Sequence, residues 1–177
     1  MPHYAISAVG RDRPGIVAAF TEALAEAGCN LEDTSMTILR GHFAMMLIVA
    51  TPDTTGDGIA AAVGEPAARH QLVTSVLPID DDVPESLAGH EFVVSVYGAD
   101  RPGIVAAITR LLADRGVNVV DLSTRVIGDP DRPVYAMVLE VTVPDRVDVD
   151  ELATALGAEA HRLGIEASLH ADDPDIL

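Results

Sequence analysis

The sequence contains one segment twice, and this internal repeat constrains the fold more than any other feature. Residues 10–19 read GRDRPGIVAA and residues 98–107 read GADRPGIVAA, so nine of ten positions are identical at an offset of 88 residues. Further along the chain the offset becomes 92, where Phe43 aligns with Tyr135 and Leu47 with Leu139. Similarity at a fixed offset is typical of a duplicated structural unit. The chain is therefore predicted to consist of two copies of one small module.

The change of offset marks a four-residue insertion in the second copy, near residues 128–133. This segment is rich in Gly, Pro and Asp, so we expect the insertion to lengthen a hairpin loop. A second segment rich in acids, Pro and Gly lies between the copies and suits an exposed linker. The predicted organisation is a first domain at residues 1–79, a linker at 80–89, a second domain at 90–171 and an acidic tail at 172–177.

The order of apolar patterns is the same in both copies. A β-rich run leads through the repeated loop into a helix-period segment, then come two β-rich runs, a second helix and a final strand. This βαββαβ order predicts an α+β fold of two tandem ferredoxin-like modules with antiparallel sheets. We expect Pro14 and Pro102 at the first helical position and Gly28 and Gly116 at the helix ends. Pro66 is expected to shorten or break the second helix of the first copy.

Composition excludes several classes of function. The net charge of −17 comes from 28 acidic residues against 11 basic ones, all of them Arg, so binding to nucleic acid or to an anionic membrane is not expected. Cys29 is the only cysteine, which excludes an internal disulfide or a paired-cysteine metal site. No N-terminal signal pattern and no long apolar run is present, which predicts a cytoplasmic protein.

The repeated loop carries the residues that most resemble a binding site. It joins a strand to a helix N-terminus, where free amides attract an anion such as a carboxylate. Asp12 and Asp100 in the loop can accept hydrogen bonds from an ammonium group. Asn30 and Asn118, which open the next strand, offer both a carbonyl and an amide. This set of groups fits a free amino acid.

A purely structural interpretation of the same loop is equally open at this point. The two aspartates would then support the start of the helix, and Gly15 and Gly103 would only permit close packing. The loop lacks the glycine spacing and the lysine of nucleotide-binding motifs.

Cys29 is expected to fill a small apolar site, because the second copy has Val117 there. The histidines have no spacing typical of metal ligands, so no catalytic residue, metal or cofactor is predicted.

Asp-Arg-Pro-Gly-Ile at 12–16 and 100–104, together with the two asparagines, resembles the ACT domain. The resemblance covers nearly the whole chain, and a tandem pair resembles the glycine cleavage system transcriptional repressor family. It implies a non-enzymatic regulator that binds an amino acid, such as glycine or serine, at the joint between domains. The ligand contacts that the resemblance implies are Asp12, Pro14, Gly15, Ile16, Asn30, Asp100, Pro102, Gly103, Ile104 and Asn118.

The expected partners are thus a free amino acid and a regulated protein, with a homodimer as a further assembly. The alternative is a constitutive interaction module that assembles through sheet edges and binds no metabolite. Arg11 in the first loop is replaced by Ala99 in the second. This difference, with the expected break at Pro66, predicts two sites of unequal affinity, or one occupied site and one structural relic.

Overall fold

The computed structural model describes residues 1–79, 88–129 and 132–171, and the side chains of residues 129, 132 and 133 are not described. The chain divides into two compact units, Met1–Asp82 and Val83–Leu177. The first unit contains β1 (His3–Arg11), α1 (Ile16–Glu26), β2 (Asn30–Leu39), β3 (His42–Ala50), α2 (Gly56–His70) and β4 (Val73–Ile79). The second contains β5 (His90–Gly98), α3 (Ile104–Ala113), β6 (Asn118–Asp129), β7 (Arg132–Val143), α4 (Val149–Leu163) and β8 (Ile165–Ala171). The predicted linker at 80–89 and the acidic tail fall largely outside the described residues, so the proposed boundaries stay predictions.

Each unit is one antiparallel sheet with two helices on one face. The strand orders are β2-β3-β1-β4 and β6-β7-β5-β8, which confirms the predicted α+β fold of two ferredoxin-like modules. Alternate side chains of the central strands enter the core, as with Ile6 and Ala8 of β1. They pack against one stripe of α1 that includes Phe20 and Leu24. The second core is built in the same way around Ile108 of α3.

The insertion in the second copy lengthens strands and not a loop. β6 and β7 have 12 residues each, whereas β2 and β3 have 10 and 9. The added residues continue the ladder, since Gly128 pairs with Pro133 and Asp129 with Arg132. The expectation of a longer hairpin loop was therefore wrong, because paired extended residues satisfy backbone groups that a loop would leave to water.

Two expectations about prolines are corrected. Pro14 and Pro102 lie before their helices, which begin at Ile16 and Ile104 after a glycine N-cap. Pro66 lies inside α2, which continues unbroken for 15 residues, the same length as α4. A proline inside a helix removes one hydrogen bond. Here Pro66 is buried close to the helix end, and the helix is neither shortened nor split.

The edge strands are the most exposed elements of the sheets. All ten residues of β2 are exposed, including Met36 and Ile38, which are 47% and 48% exposed. Val120 and Val126 on β6 are similarly open. None of the helices within the described ranges has the length and apolar character needed to cross a membrane.

Candidate functional site

The repeated loop begins each first helix without a side-chain cap. Gly15 and Gly103 are the N-caps of α1 and α3, with φ of 91° and 94°, and neither helix has a side-chain capping hydrogen bond or an acid in its first turn. The second helices differ, because Thr55 caps α2 and Asp148 caps α4 through side-chain oxygens. The first amides of α1 and α3 therefore keep their partial positive charge available to an added anion.

The glycines of the loop have two distinct backbone roles. Gly15 and Gly103 adopt a left-handed conformation that side chains disfavour. Among the described residues other than the chain neighbours, a Cβ on Gly15 would lie 3.9 Å from His70 Cε1, and one on Gly103 would have no atom within 4 Å. Gly10 and Gly98 are needed for close packing. A Cβ on Gly10 would lie 2.5 Å from Leu72 Cδ2, and one on Gly98 would lie 2.5 Å from Ile165 Cγ2. The expected tight packing is therefore found at the first glycine of each loop and not at the second.

An arginine in each loop joins it to the end of the second helix of the same module. The Arg13 guanidinium donates to Oε1 of Gln71, the residue that ends α2. Arg101 Nη1 donates to the carbonyl oxygen of Leu163, the last residue of α4, at 3.2 Å. Neither arginine was predicted from the sequence to have a role. The same residue, arginine, stands at this position in both copies of the repeat, and this was the signal in the sequence that pointed to a role. A residue that only solvates a loop is free to differ between copies.

The two loop aspartates do not support the helix start by capping it. Asp12 and Asp100 are exposed, and within the described ranges neither carboxylate has a hydrogen bond or an ion pair. The backbone amide of Asp12 instead donates to the carbonyl oxygen of Gly41, at 3.0 Å, which ties the first loop to the β2–β3 turn. Their carboxylates are thus available to a ligand next to an uncapped helix.

The isoleucines of the predicted site belong to the core. Ile16 and Ile104 are each only 2% exposed, so their side chains cannot contact a bound molecule and only their backbone amides remain. Pro14 and Pro102 are exposed beside the glycine N-caps. The loop side of the predicted site is therefore formed by backbone amides, a proline ring and one carboxylate.

The asparagines lie at the other end of the sheet from the loop of their own module. In the first module Arg11, at the end of β1, pairs with His42 of β3. Asn30 pairs with Ala50 of β3, and Ala50 pairs with His3 at the start of β1. Eight residues separate these two ends of β1, or about 26 Å at roughly 3.3 Å per residue. In the second module, Asn118 pairs with Thr142 of β7, and Thr142 pairs with Glu91 at the start of β5, again far from the loop. One module alone cannot bring its loop and its asparagine to the same amino acid.

A β-bulge follows each asparagine. The register shifts between Leu31 and Asp33 in β2 and between Val119 and Asp121 in β6. Bulges re-aim side chains and often lie beside functional sites. Two aspartates that align in the repeat, Asp33 and Asp121, therefore follow the bulges. Comparing the copies could not reveal the bulges, because both copies have the bulge at the same place and the offset of 88 residues is unchanged.

Asn118 also lines a surface depression of about 520 Å³ beside α3. The other side chains around it include Thr109, Arg110 and Val119. In the first module Asn30 is exposed at the equivalent place. The two asparagines thus begin strands at corresponding positions but in different chemical surroundings.

Other reactive groups show no arrangement for chemistry. Cys29 is half-buried against the first core, and burial raises the pKa of its thiol, an effect partly offset by a hydrogen bond with Thr51. A protonated thiol is a poor nucleophile. In the part of the chain that the structure describes, no three His, Cys, Asp or Glu side chains are grouped as metal ligands would be.

The fold and its repeated loop define the class of protein, a tandem of two small βαββαβ modules that begin their first helices in the same way. Family models described as the ACT domain match residues 4–76 and residues 92–160. The chain belongs to the ACT-domain family and contains two such domains in tandem.

Individual relatives extend this assignment. The chain is 24% identical over 171 residues to the glycine cleavage system transcriptional repressor of Escherichia coli, covering 95% of this chain and 90% of the repressor. It is 31% identical over 143 residues to the phosphoserine phosphatase SerB2 of Mycobacterium tuberculosis, but spans only 34% of that protein's length. The crystal structure of an unknown protein from Galdieria sulphuraria is similar over 97% of this chain and 99% of that one, with a TM-score of 0.86 and 29% identity.

Proposed function

We propose that this protein is a non-enzymatic regulator that binds a free amino acid and changes its contacts with a partner protein in response. One observation carries the proposal. Both repeated loops end in an uncapped helix N-terminus, and the aspartate beside it has no side-chain partner among the described residues, while both second helices carry a side-chain cap. The missing cap recurs in both copies and is confined to the repeated loop.

An amino acid matches the two kinds of group that the loop presents. Its carboxylate is attracted by the free amides and the positive end of the helix dipole. Its ammonium group can be held by the carboxylate of Asp12 or Asp100. We propose a small amino acid, such as glycine or serine, as the ligand. Similarity to a glycine cleavage system transcriptional repressor supports the same ligand class.

The separation of loop and asparagine determines how a complete site would be assembled. A ligand held by the loop of one module would be contacted by the asparagine of the corresponding module in a second copy of the chain. Asp12 would then act with Asn30 of a second molecule, and Asp100 with Asn118 of a second molecule. A site that needs two modules couples ligand binding to assembly, because the ligand stabilises only the state in which both contacts are made.

A thermal-shift screen of the proteinogenic amino acids tests this function. A ligand at about 100 times its dissociation constant should stabilise the protein by about 2.7 kcal/mol. We expect a rise in melting temperature with one or a few small amino acids. Absence of a shift with every amino acid would overturn the proposal.

Assembly through strand edges is a second candidate function, favoured by the exposure of β2. An exposed edge presents unpaired backbone groups to another strand, and lysine on the edge discourages such pairing. Ile38→Lys tests it by sedimentation. Under this alternative the variant loses association, whereas Asp12→Ala and Asp100→Ala have no effect on any function.

A further inference from the structure

The depression beside Asn118 has a basic group that its counterpart in the first module lacks. Arg110 lies in the last turn of α3 and lines the depression together with Thr109 and Asn118. In the repeat, Glu22 of α1 aligns with Arg110, whereas Thr21 aligns with Thr109. The two modules therefore differ by a reversal of charge at one helix position beside an otherwise corresponding surface.

The Arg110 guanidinium is free to bind an anion. Among the described residues it has no hydrogen-bond or ion-pair partner, although five N–H donors are present on every arginine. Arg162 on α4 contrasts with it, because Glu159 accepts two hydrogen bonds from its guanidinium and their pairing lowers the pKa of the Glu159 carboxyl. Arg115 donates to the carbonyl oxygen of Leu111.

The rest of the depression suits a small ligand. Ala106 and Ala113 on α3 leave space beside the arginine, and Val119 forms an apolar wall on β6. Thr109 turns its hydroxyl to the carbonyl oxygen of Val105, at 2.8 Å, so its methyl group is left for apolar contact. The polar groups that remain for recognition are Arg110 and the Asn118 amide.

We propose that the depression between α3 and β6 is a binding site for a small molecule bearing a carboxylate, with Arg110 as the group that recognises the carboxylate. The Asn118 amide supplies the second polar contact. An arginine binds a carboxylate through two parallel charge-assisted hydrogen bonds, which gives the contact both strength and orientation. The first module, with Glu22 in this place, repels a carboxylate. The two copies thus differ in their affinity for a carboxylate beside their asparagines.

This inference rests on the proposed function only in taking the ligand to be an amino acid. Any small molecule with a carboxylate satisfies the geometry of the depression. NMR titration of the ¹⁵N-labelled full chain separates the two ideas. The probes are the twenty proteinogenic amino acids, sodium succinate, and the carboxamide of any amino acid that binds. The Arg110 Nε–H signal is assigned from its loss in Arg110→Gln, and the Asn118 side-chain amide from its loss in Asn118→Ala.

The expected result is a shift of both signals with a carboxylate probe and none with the carboxamide. Arg110→Gln should weaken binding about tenfold or more, because charge-assisted hydrogen bonds are lost. Arg162→Gln makes the same charge change on α4 and should leave the affinity unchanged. Glutamine is a good helix former, so both variants should fold.

Each other outcome decides between the proposals. An amino acid that binds without moving the Arg110 signal overturns this site and leaves the proposed function standing, because Asn118 is a ligand contact in both proposals. Succinate that moves both signals, when no amino acid binds, supports the site and overturns the proposed ligand class. Absence of any shift with every probe overturns both. Equal weakening by the two arginine variants would also overturn the site, because only the overall charge would then matter.

Discussion

Arg101 and Leu163 are joined by a hydrogen bond of 3.2 Å, from the guanidinium of the loop to the last carbonyl of α4. Gly164 lies beside this contact, and an added Cβ there would be 3.3 Å from Arg101 Nη1. In the first module the loop arginine uses the side chain of Gln71, which stands at the equivalent helix end in a left-handed conformation. Both modules therefore fix the repeated loop against the second helix, but with different acceptors.

Replacing this arginine should loosen the loop. Arg101→Ala is expected to lower the free energy of unfolding by about 1 kcal/mol, the usual worth of one hydrogen bond. Chemical denaturation of the full chain measures this change. Arg125→Ala, on the exposed strand β6, removes the same charge and should stay within about 0.5 kcal/mol of the parent. Equal losses in the two variants would show that the hydrogen bond contributes nothing of its own.

Two glycine substitutions should have opposite effects on stability. Gly98→Ala places a Cβ 2.5 Å from Ile165 Cγ2 and should destabilise the protein by about 1–3 kcal/mol through overpacking. Gly157→Ala, inside α4 with no neighbouring atom within 4 Å, should stabilise it by about 0.5–1 kcal/mol. Thermal unfolding checks both signs. A neutral Gly98→Ala would mean that β8 shifts without cost to admit the methyl group.

The thiol of Cys29 should react slowly. Burial raises the pKa of this thiol, so less reactive thiolate is present near neutral pH than in an unfolded chain. Alkylation by iodoacetamide is expected to be slower in the native protein than in concentrated urea. The native rate should keep rising with pH beyond the range where an ordinary thiol reaches its plateau. A plateau at the ordinary position would contradict the effect of burial.

The sequence predicted those parts of the fold that depend on local pattern. The bounds of β2 and β3 agree with the structure, because Arg40 and Gly41 mark the turn between two regular β-rich runs. Pro66 misled the prediction, since tertiary packing of a buried helix face outweighs the loss of one hydrogen bond.

The candidate site was predictable only as a set of residues. Asp12 and Asn30 were singled out from their types and their recurrence, but strand pairing, which decides that they lie at opposite ends of a sheet, is not a local property. The contact of Arg13 with Gln71 spans 58 residues and was invisible for the same reason. The position of these residues in the fold is set by long-range contacts, which local sequence patterns do not predict.

The repeated loop as a ligand site is tested most directly by calorimetric titration with the amino acid that gives the largest thermal shift. The double variant Asp12→Ala and Asp100→Ala should bind at least about tenfold more weakly, because each loop loses a charge-assisted contact with the ammonium group. Glu26→Ala and Asp114→Ala, which remove two exposed acids at the far ends of α1 and α3, provide the matched control and should bind as the parent does. Unchanged affinity in the folded loop variant would contradict the assignment of the site to the loops.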